Sequence, residues 1–193
     1  MTTSTGIILS ILTPTIPSRW AQVKTLSDEL AAQIGDHPVE HLVLFDNKRR
    51  SVGRKRDDLL RLARGHRVAF VDDDDWIAPC YIAELLKAPA EADVVTFLQE
   101  ATINGQIGLI EFGLGNPNEP FKPRSLSKRN AWHVCAWRRT LAVLSYFPDN
   151  NYGEDWEFAS KLCGLSGLKA HHIPKVLHYS RHDTKTSEAL PGT

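Results

Sequence analysis

Four consecutive aspartates, Asp72 to Asp75, follow the apolar run RVAFV and precede WIAP. Adjacent carboxylates repel one another, and desolvating them at the end of a buried strand costs free energy unless a cation, a hydrogen-bond donor or water compensates. Oxygen ligands on an acidic turn suit a hard divalent cation, Mg²⁺ or Mn²⁺. Alternate residues of an extended segment face the same way, so Asp72 and Asp74 share one side and Asp73 and Asp75 the other. One pair would hold the ion while the other caps a following helix. The plainer alternative is four solvated helix-capping acids.

Other stretches carry complementary chemistry. In KRRSVGRKRDD, Gly53 permits close backbone approach, and Arg54, Lys55 and Arg56 have the charge to meet phosphate oxygens. A divalent cation with Arg and Lys is a diphosphate site; the alternative is a basic helix turned to water. Asp46, after the apolar VEHLVLF, can accept from a nucleobase or ribose, or merely close an Asx turn. In NNYGEDWEF, Glu154 and Asp155 open a helix beyond a glycine, where the helix dipole favours an ionised carboxylate able to act as a base. His178 and His182 share a face if their segment is extended, offering a nitrogen ligand or a phosphate donor, or ordinary packing. FKPRSLSKRNAWHVCAWRR mixes cations with Trp132, His133, Trp137 and Arg138, a composition suited to phosphate contact and stacking or to packing an inner wall.

These groups need a scaffold. The run Gly6 to Leu12 suits a strand buried on both faces; Trp20, Val23, Leu26, Leu30 and Ile34 mark a helix closed by Gly35. Val39 to Phe45, a helix over Ser51 to Arg64 and a strand over His66 to Val71 complete a β-α-β-α-β alternation. That predicts a parallel sheet with right-handed crossovers and a binding crevice beyond the carboxyl ends of the strands. A short helix over Tyr81 to Lys87 and a hairpin turning at Asn104-Gly105 follow. Gly113 to Asn130 reads as a long loop, a helix begins near Glu154 and ends before Gly164 or Gly167, and a final strand covers KVLHYSRH. The expectation is an α/β chain forming one domain over 1–193. Residues 1–100 would bind nucleotide, 101–182 would bind acceptor, and 183–193 would form a tail.

The chain has 193 residues, 42% of them apolar, enough for one core. Its 23 basic and 23 acidic residues cancel, so there is no global pull toward nucleic acid or membrane. The charge is nonetheless uneven: Lys48 to Arg67 holds nine Lys or Arg against two Asp, and Phe121 to Pro148 holds six with no carboxylate. No stretch approaches a membrane span, and the apolar N-terminus lacks a preceding basic residue, so it reads as a strand and not a signal peptide. Three unpaired cysteines without a CxxC spacing fit a reducing cytoplasm.

Taken in order, TPTIPSR after the first strand, the Asp ending the second, GRKRD, FVDDDDW and GEDWEF resemble family 2 glycosyltransferases of the GT-A fold, from about Ile7 to about His182. The resemblance implies a Rossmann-like α/β/α sandwich with a mostly parallel central sheet and a small antiparallel hairpin. It matches Asp72 and Asp74 to the DxD motif, the first toward the ribose, the second on a Mn²⁺ or Mg²⁺ bridging the donor diphosphate. It matches Asp46 to the uracil-contacting acid, Thr13, Pro14 and Arg19 to the first nucleotide-binding loop, and Arg56 to a phosphate-facing position. Asp155 matches the catalytic base of the ED motif, with Glu154 supporting the helix start or contacting acceptor. His182, then His178, match a late metal or phosphate contact. Asp57 stands where the family often has asparagine.

The implied activity is inverting sugar transfer from a nucleotide diphosphate sugar, a UDP-sugar first, to an acceptor hydroxyl. The basic aromatic stretch brings in compact enzymes of bacterial viruses that glycosylate hydroxymethylated pyrimidines in DNA, with Trp132, His133, Trp137 and Arg138 on the acceptor. Two other classes use similar residues: a metal-dependent nuclease, and a non-catalytic nucleotide or nucleic-acid binding module.

Overall fold

In the computed structural model, which describes residues 6–182, β1 (Leu9–Thr15) is buried along its whole length. Parallel neighbours flank it: β2 (Val39–Phe45) on one side and β3 (Arg67–Phe70) on the other. The strand starts later than its apolar run and continues through Pro14. Pairing with β3 ends at Leu12–Phe70, so the missing N–H of Pro14 leaves no gap in that ladder. The 183–193 tail lies outside the described residues.

The crossovers are α1 (Trp20–Ile34) and α2 (Val52–Leu62). Val23, Leu26 and Leu30 of α1 are buried, but Trp20 is exposed and packs its ring on Phe45, 5.6 Å away. Ser51 caps α2 by accepting from the Arg54 amide. Beyond β3 come β4 (Trp76–Ile77), α3 (Tyr81–Leu86), β5 (Val94–Ile103) and β6 (Gln106–Phe112). β5 and β6 form the expected hairpin, with Asn104 and Gly105 both at positive φ. Leu126–Arg129, expected in a loop, forms β7 parallel to β6. Then follow β8 (Ala136–Arg138), α4 (Arg139–Ser145), α5 (Glu154–Cys163) and β9 (Ala170–His182).

The sheet runs β2-β1-β3-β8-β5-β6-β7, with β9 alongside β5 and β4. β8 is antiparallel to both β3 and β5, and it joins the parallel half of the sheet to the hairpin half. Alternating side chains feed two cores. Leu9, Ile11, Ala69 and Val71 pack toward α1 and α3; Leu12, Val68, Phe70 and Trp137 pack with Leu59, Ala142 and Phe158 of α2, α4 and α5. Helices therefore cover both faces, an α/β/α sandwich. Among the described residues no helix is long and apolar enough to cross a membrane.

α2 lies against the 148–151 segment so closely that a Cβ on Gly53 would meet the Pro148 carbonyl oxygen at 1.9 Å. The Gly53 amide donates to the Asn150 carbonyl at 3.0 Å. Gly53→Ala is expected to destabilise the protein by about 3 kcal/mol, because backbone on both sides must separate. A urea midpoint within error of the parent would contradict this packing.

Candidate active site

β1, β2 and β3 end on the same side, and the segments following them line one cleft of about 1080 Å³ with the start of α5 and the β5-β6 hairpin. Its centre is Arg56. This side chain projects from α2 with only 5% of its surface exposed, its guanidinium carbon 5.4 Å from the Phe70 ring and 6.0 Å from that of Phe147. Nη1 and Nη2 donate to the two oxygens of Asp72 at 2.9 and 2.8 Å, and Nε donates to Glu154 at 3.4 Å. Burial opposes the charge on Arg56, but Asp72 outweighs it and raises the pKa. In return the guanidinium holds Asp72 down at about 2 against the desolvation that would raise it. For Glu154 burial wins, and its carboxyl lies above the usual range.

The four aspartates occupy four environments. Asp72 belongs to Arg56. Asp73 is buried, accepting from Thr15 Oγ1 at 2.6 Å and Arg19 Nη1 at 2.7 Å, which ties the acid turn to the end of β1. Asp74 leaves 48% of its side chain exposed in the cleft, 3.2 Å from Arg19. Asp75 is nearly enclosed, 3.4 Å from His178 Nε2. Desolvation first, then the charge of Asp72, raises the pKa of Asp74 and, much further, that of Asp75. None of the four caps a helix: β4 follows them, which corrects that part of the sequence reading.

Lys55 also lines the cleft. It is 6% exposed, its pKa is lowered by burial against the pull of Asp46 and Asp73, and its ammonium has no hydrogen-bonded partner among the described residues. At the other side, Asp155 Oδ2 accepts from the Trp132 indole N–H at 3.3 Å, and its Oδ1 accepts from the Trp156 amide at 2.7 Å. His133 Nδ1 is 3.8 Å from Asp155, with both ring nitrogens buried and unpartnered.

The cleft thus gathers Pro14, Arg19, Arg56, Asp72, Asp74 and both acids of the α5 start, with Trp132, His133 and His182. Five expectations are corrected. Thr13 is fully buried and donates to the Val71 carbonyl at 2.8 Å, so its hydroxyl serves the core while Thr15 faces the cleft. Arg56 does line the cleft, with three of its five N–H groups given to Asp72 and Glu154. Arg54 sits on the outer face of α2, paired with Asp58. Trp137 has no exposed surface, because β8 runs through the sheet centre; its indole donates to the Trp132 carbonyl at 2.9 Å. Arg138 pairs with Asp93 at 2.8 Å beside the start of β3, the end of the sheet opposite the cleft. His178 is fully buried with Nδ1 2.9 Å from Gln99 Nε2, a support for Asp75 and not an open ligand. Asp46 lies at the end of β2 as expected, and its Oδ2 closes the following turn by accepting from the Arg50 amide.

Sequence reasoning gave no role to Thr15, Gln99, Arg129, Tyr152 or Trp156, all of which line the cleft. For Trp156 the signal was present in the exposed aromatic following Asp155. For Arg129 it was hidden by reading β7 as loop. Among the described residues, no three His, Cys, Asp or Glu side chains form a ready cage for a metal ion. The crowded carboxylates of Asp72, Asp74 and Asp75 still suit a hard cation whose other ligands are water and phosphate.

No protein-family model matches the chain, and neither does any curated protein. Solved structures do. The class defined by the sheet and its cleft is a GT-A, Rossmann-like α/β fold, and crystal structures of S. aureus TarS share it. The TarS 1–349 complex with UDP-GlcNAc superposes with a TM-score of 0.62 at 18% identity over 91% of this chain. A complex of the same form with UDP gives 0.56 at 19%, and a longer TarS structure gives 0.60 at 18%. The chain spans 58% and 60% of the two complexes and 37% of the longer chain.

Two expected outcomes test the site. Arg56→Met leaves Asp72 and Glu154 without their cation and should cost about 3–5 kcal/mol, read from urea unfolding; the further change Asp72→Asn should restore part of it. His41, His133 and His178 are held neutral, with pKa lowered from 6.5 to about 4 by burial. At these three sites the unfolded chain binds more protons between those values, so each removes stability as pH falls from 6.5 toward 4, while the raised carboxyls of Asp74, Asp75 and Glu154 work in the opposite direction. The readout is therefore the difference between proteins: the urea midpoint of His41→Asn should lose less than the parent's across that window, and parallel profiles would refute the assignment.

Proposed function

We propose that the protein is an inverting, cation-dependent glycosyltransferase that moves a sugar from a UDP-sugar to an acceptor hydroxyl. The observation that carries this reading is the Arg56 bridge, which fixes the acid turn and the start of α5 in one cleft. A nucleotide-binding end and a carboxylate base are thereby held on either side of one space. The likeness to the TarS complexes with UDP-GlcNAc and UDP supports a nucleotide-sugar donor.

In this reading Asp155 is the base. Its Oδ2, steered by the Trp132 N–H, takes the proton of the acceptor hydroxyl as that oxygen bonds to the anomeric carbon. The bond from that carbon to the diphosphate breaks, and UDP leaves with the electron pair. Asp74 and Asp72 would hold Mn²⁺ or Mg²⁺, with His182 at the rim; when bound, the ion neutralises charge on the diphosphate. Lys55 meets the same anion from α2, and Asp46 with Pro14 and Arg19 frame the nucleoside. For the acceptor, hydroxymethylpyrimidine in DNA is supported by the cleft positions of Trp132 and His133, whereas Trp137 and Arg138 lend it nothing. A nuclease needs several carboxylates free to gather metal ions, and here Asp73 and Glu154 are tied to arginine.

Thermal shift with UDP-GlcNAc and UDP, with and without Mn²⁺, should give a cation-dependent stabilisation. Asp155→Asn should lower sugar transfer by about 10²–10⁴-fold with UDP affinity nearly intact. Equal loss of binding and transfer would remove Asp155 from its role, and Mg²⁺-dependent cleavage of DNA without UDP release would favour the nuclease.

A further inference from the structure

Lys48 apart, the cleft's cations divide into two sets. Arg19 is neutralised by Asp73 and Asp74, Arg56 by Asp72 and Glu154, and Arg50 by Asp58. Lys55, Arg129 and Arg181 also line the cleft, and among the described residues none of them is ion-paired with a carboxylate. They are not neighbours. Lys55 feels Asp46, Asp73, Arg56 and Arg19. Arg129, at the end of β7, feels only Asp155.

Arg129 is half-buried beside Phe112 of β6, its partner in register. Among the described residues its side chain makes one hydrogen bond, a long one of 3.4 Å from Nε to the Glu119 carbonyl, and burial lowers its pKa. Its Nη groups are not buried and stay open to the cleft, where an anion can meet them. The floor between Arg129 and the last residues of β9 is apolar: Ala101, Ile103, Ile110 and Phe112 share one face of β5 and β6. Tyr152 and Trp156 stand exposed at the edge beside Asp155, 67% and 56% accessible. Arg129 thus faces the Asp155 side of the cleft, while Lys55 faces Asp46 and Asp73.

We propose that the Arg129 side binds a phosphate of the acceptor, so that the enzyme acts on a phosphate-bearing acceptor held by Arg129 and Arg181 with its ring against the aromatic edge. The proposal rests on the glycosyltransferase reading: a nucleotide sugar brings one diphosphate, which the Lys55 end receives, and the Arg129 end is left for the other substrate.

The test uses the full chain saturated with UDP and titrated with inorganic phosphate, followed by calorimetry. Phosphate should still bind, Arg129→Gln should weaken it about tenfold, and Arg129→Lys should recover part of the loss. Affinity of Arg129→Gln for UDP should stay within about twofold, and its melting curve reports that it is folded. Competition by ribose 5-phosphate and by a short single-stranded oligonucleotide then separates a small phosphomonoester from a polymer as the source. Abolition of phosphate binding by UDP, or equal phosphate affinity in the parent and Arg129→Gln, overturns the proposal. Failure of UDP itself to bind would instead count against the donor reading, and the effect of Arg129→Gln on phosphate would remain readable in the free protein.

Discussion

A guanidinium withdrawn from water must be met by carboxylates, and Arg56 gathers two from distant parts of the chain. Asp72 lies 16 residues away and Glu154 lies 98 away. A buried ion pair of this kind adds little net stability over a well-packed apolar cluster, yet removing one member leaves an uncompensated charge in the core. It therefore acts on specificity more than on stability. Only one arrangement of α2, the acid turn and α5 satisfies all three groups, with Phe70 and Phe147 walling off water.

The neighbouring contacts repeat this logic with weaker links. Ser51 Oγ donates to Asp149, and the Val52 amide donates to Asn151, so the segment that carries Tyr152 and Gly153 is clamped to the start of α2. Gly153, at a φ of 77°, then turns the chain into α5. Trp137, locked in the sheet, fixes the carbonyl of Trp132, whose indole steers Asp155. Asp155 is thus positioned from two sides, by the helix start and by the sheet, and neither support is a flexible surface side chain.

Much of this was legible in the sequence, because burial and charge leave local marks. Continuous apolar runs gave β1, β2 and β3, and Asn104-Gly105 gave the hairpin. The order of acids and glycines placed Asp72, Asp74, Glu154 and Asp155 in one crevice. Illegible parts depend on partners remote in sequence. That Arg54 faces Asp58 while Arg56 faces Asp72 is decided by the rotation of α2 on the sheet. That Trp137 is core and Trp132 is cleft is decided by β8, whose three residues are too short to show a period. Thr13 and Thr15 look alike in TPT, and only the length of β3 makes the first a core donor and the second a partner of Asp73.

The charges left over after internal pairing say what the cleft is built to receive. At the acid turn the surplus is negative: Asp74 and Asp75 are crowded by Asp72, and their raised pKa values express that repulsion. One step away the surplus is positive, at Lys55. A lone anion would satisfy Lys55 and worsen the crowding at the turn, while a lone cation would do the reverse. In the function proposed above, a divalent cation carried on a diphosphate would answer both at once, since each component screens the other's mismatch. The same balance explains why the arrangement tolerates its own strain before a ligand arrives. Burial and the charge of Asp72 push Asp75 toward its neutral form and Asp73 is satisfied by Thr15 and Arg19, so the uncompensated charge falls mainly on Asp74, the one acid of the four with half its side chain open to the cleft.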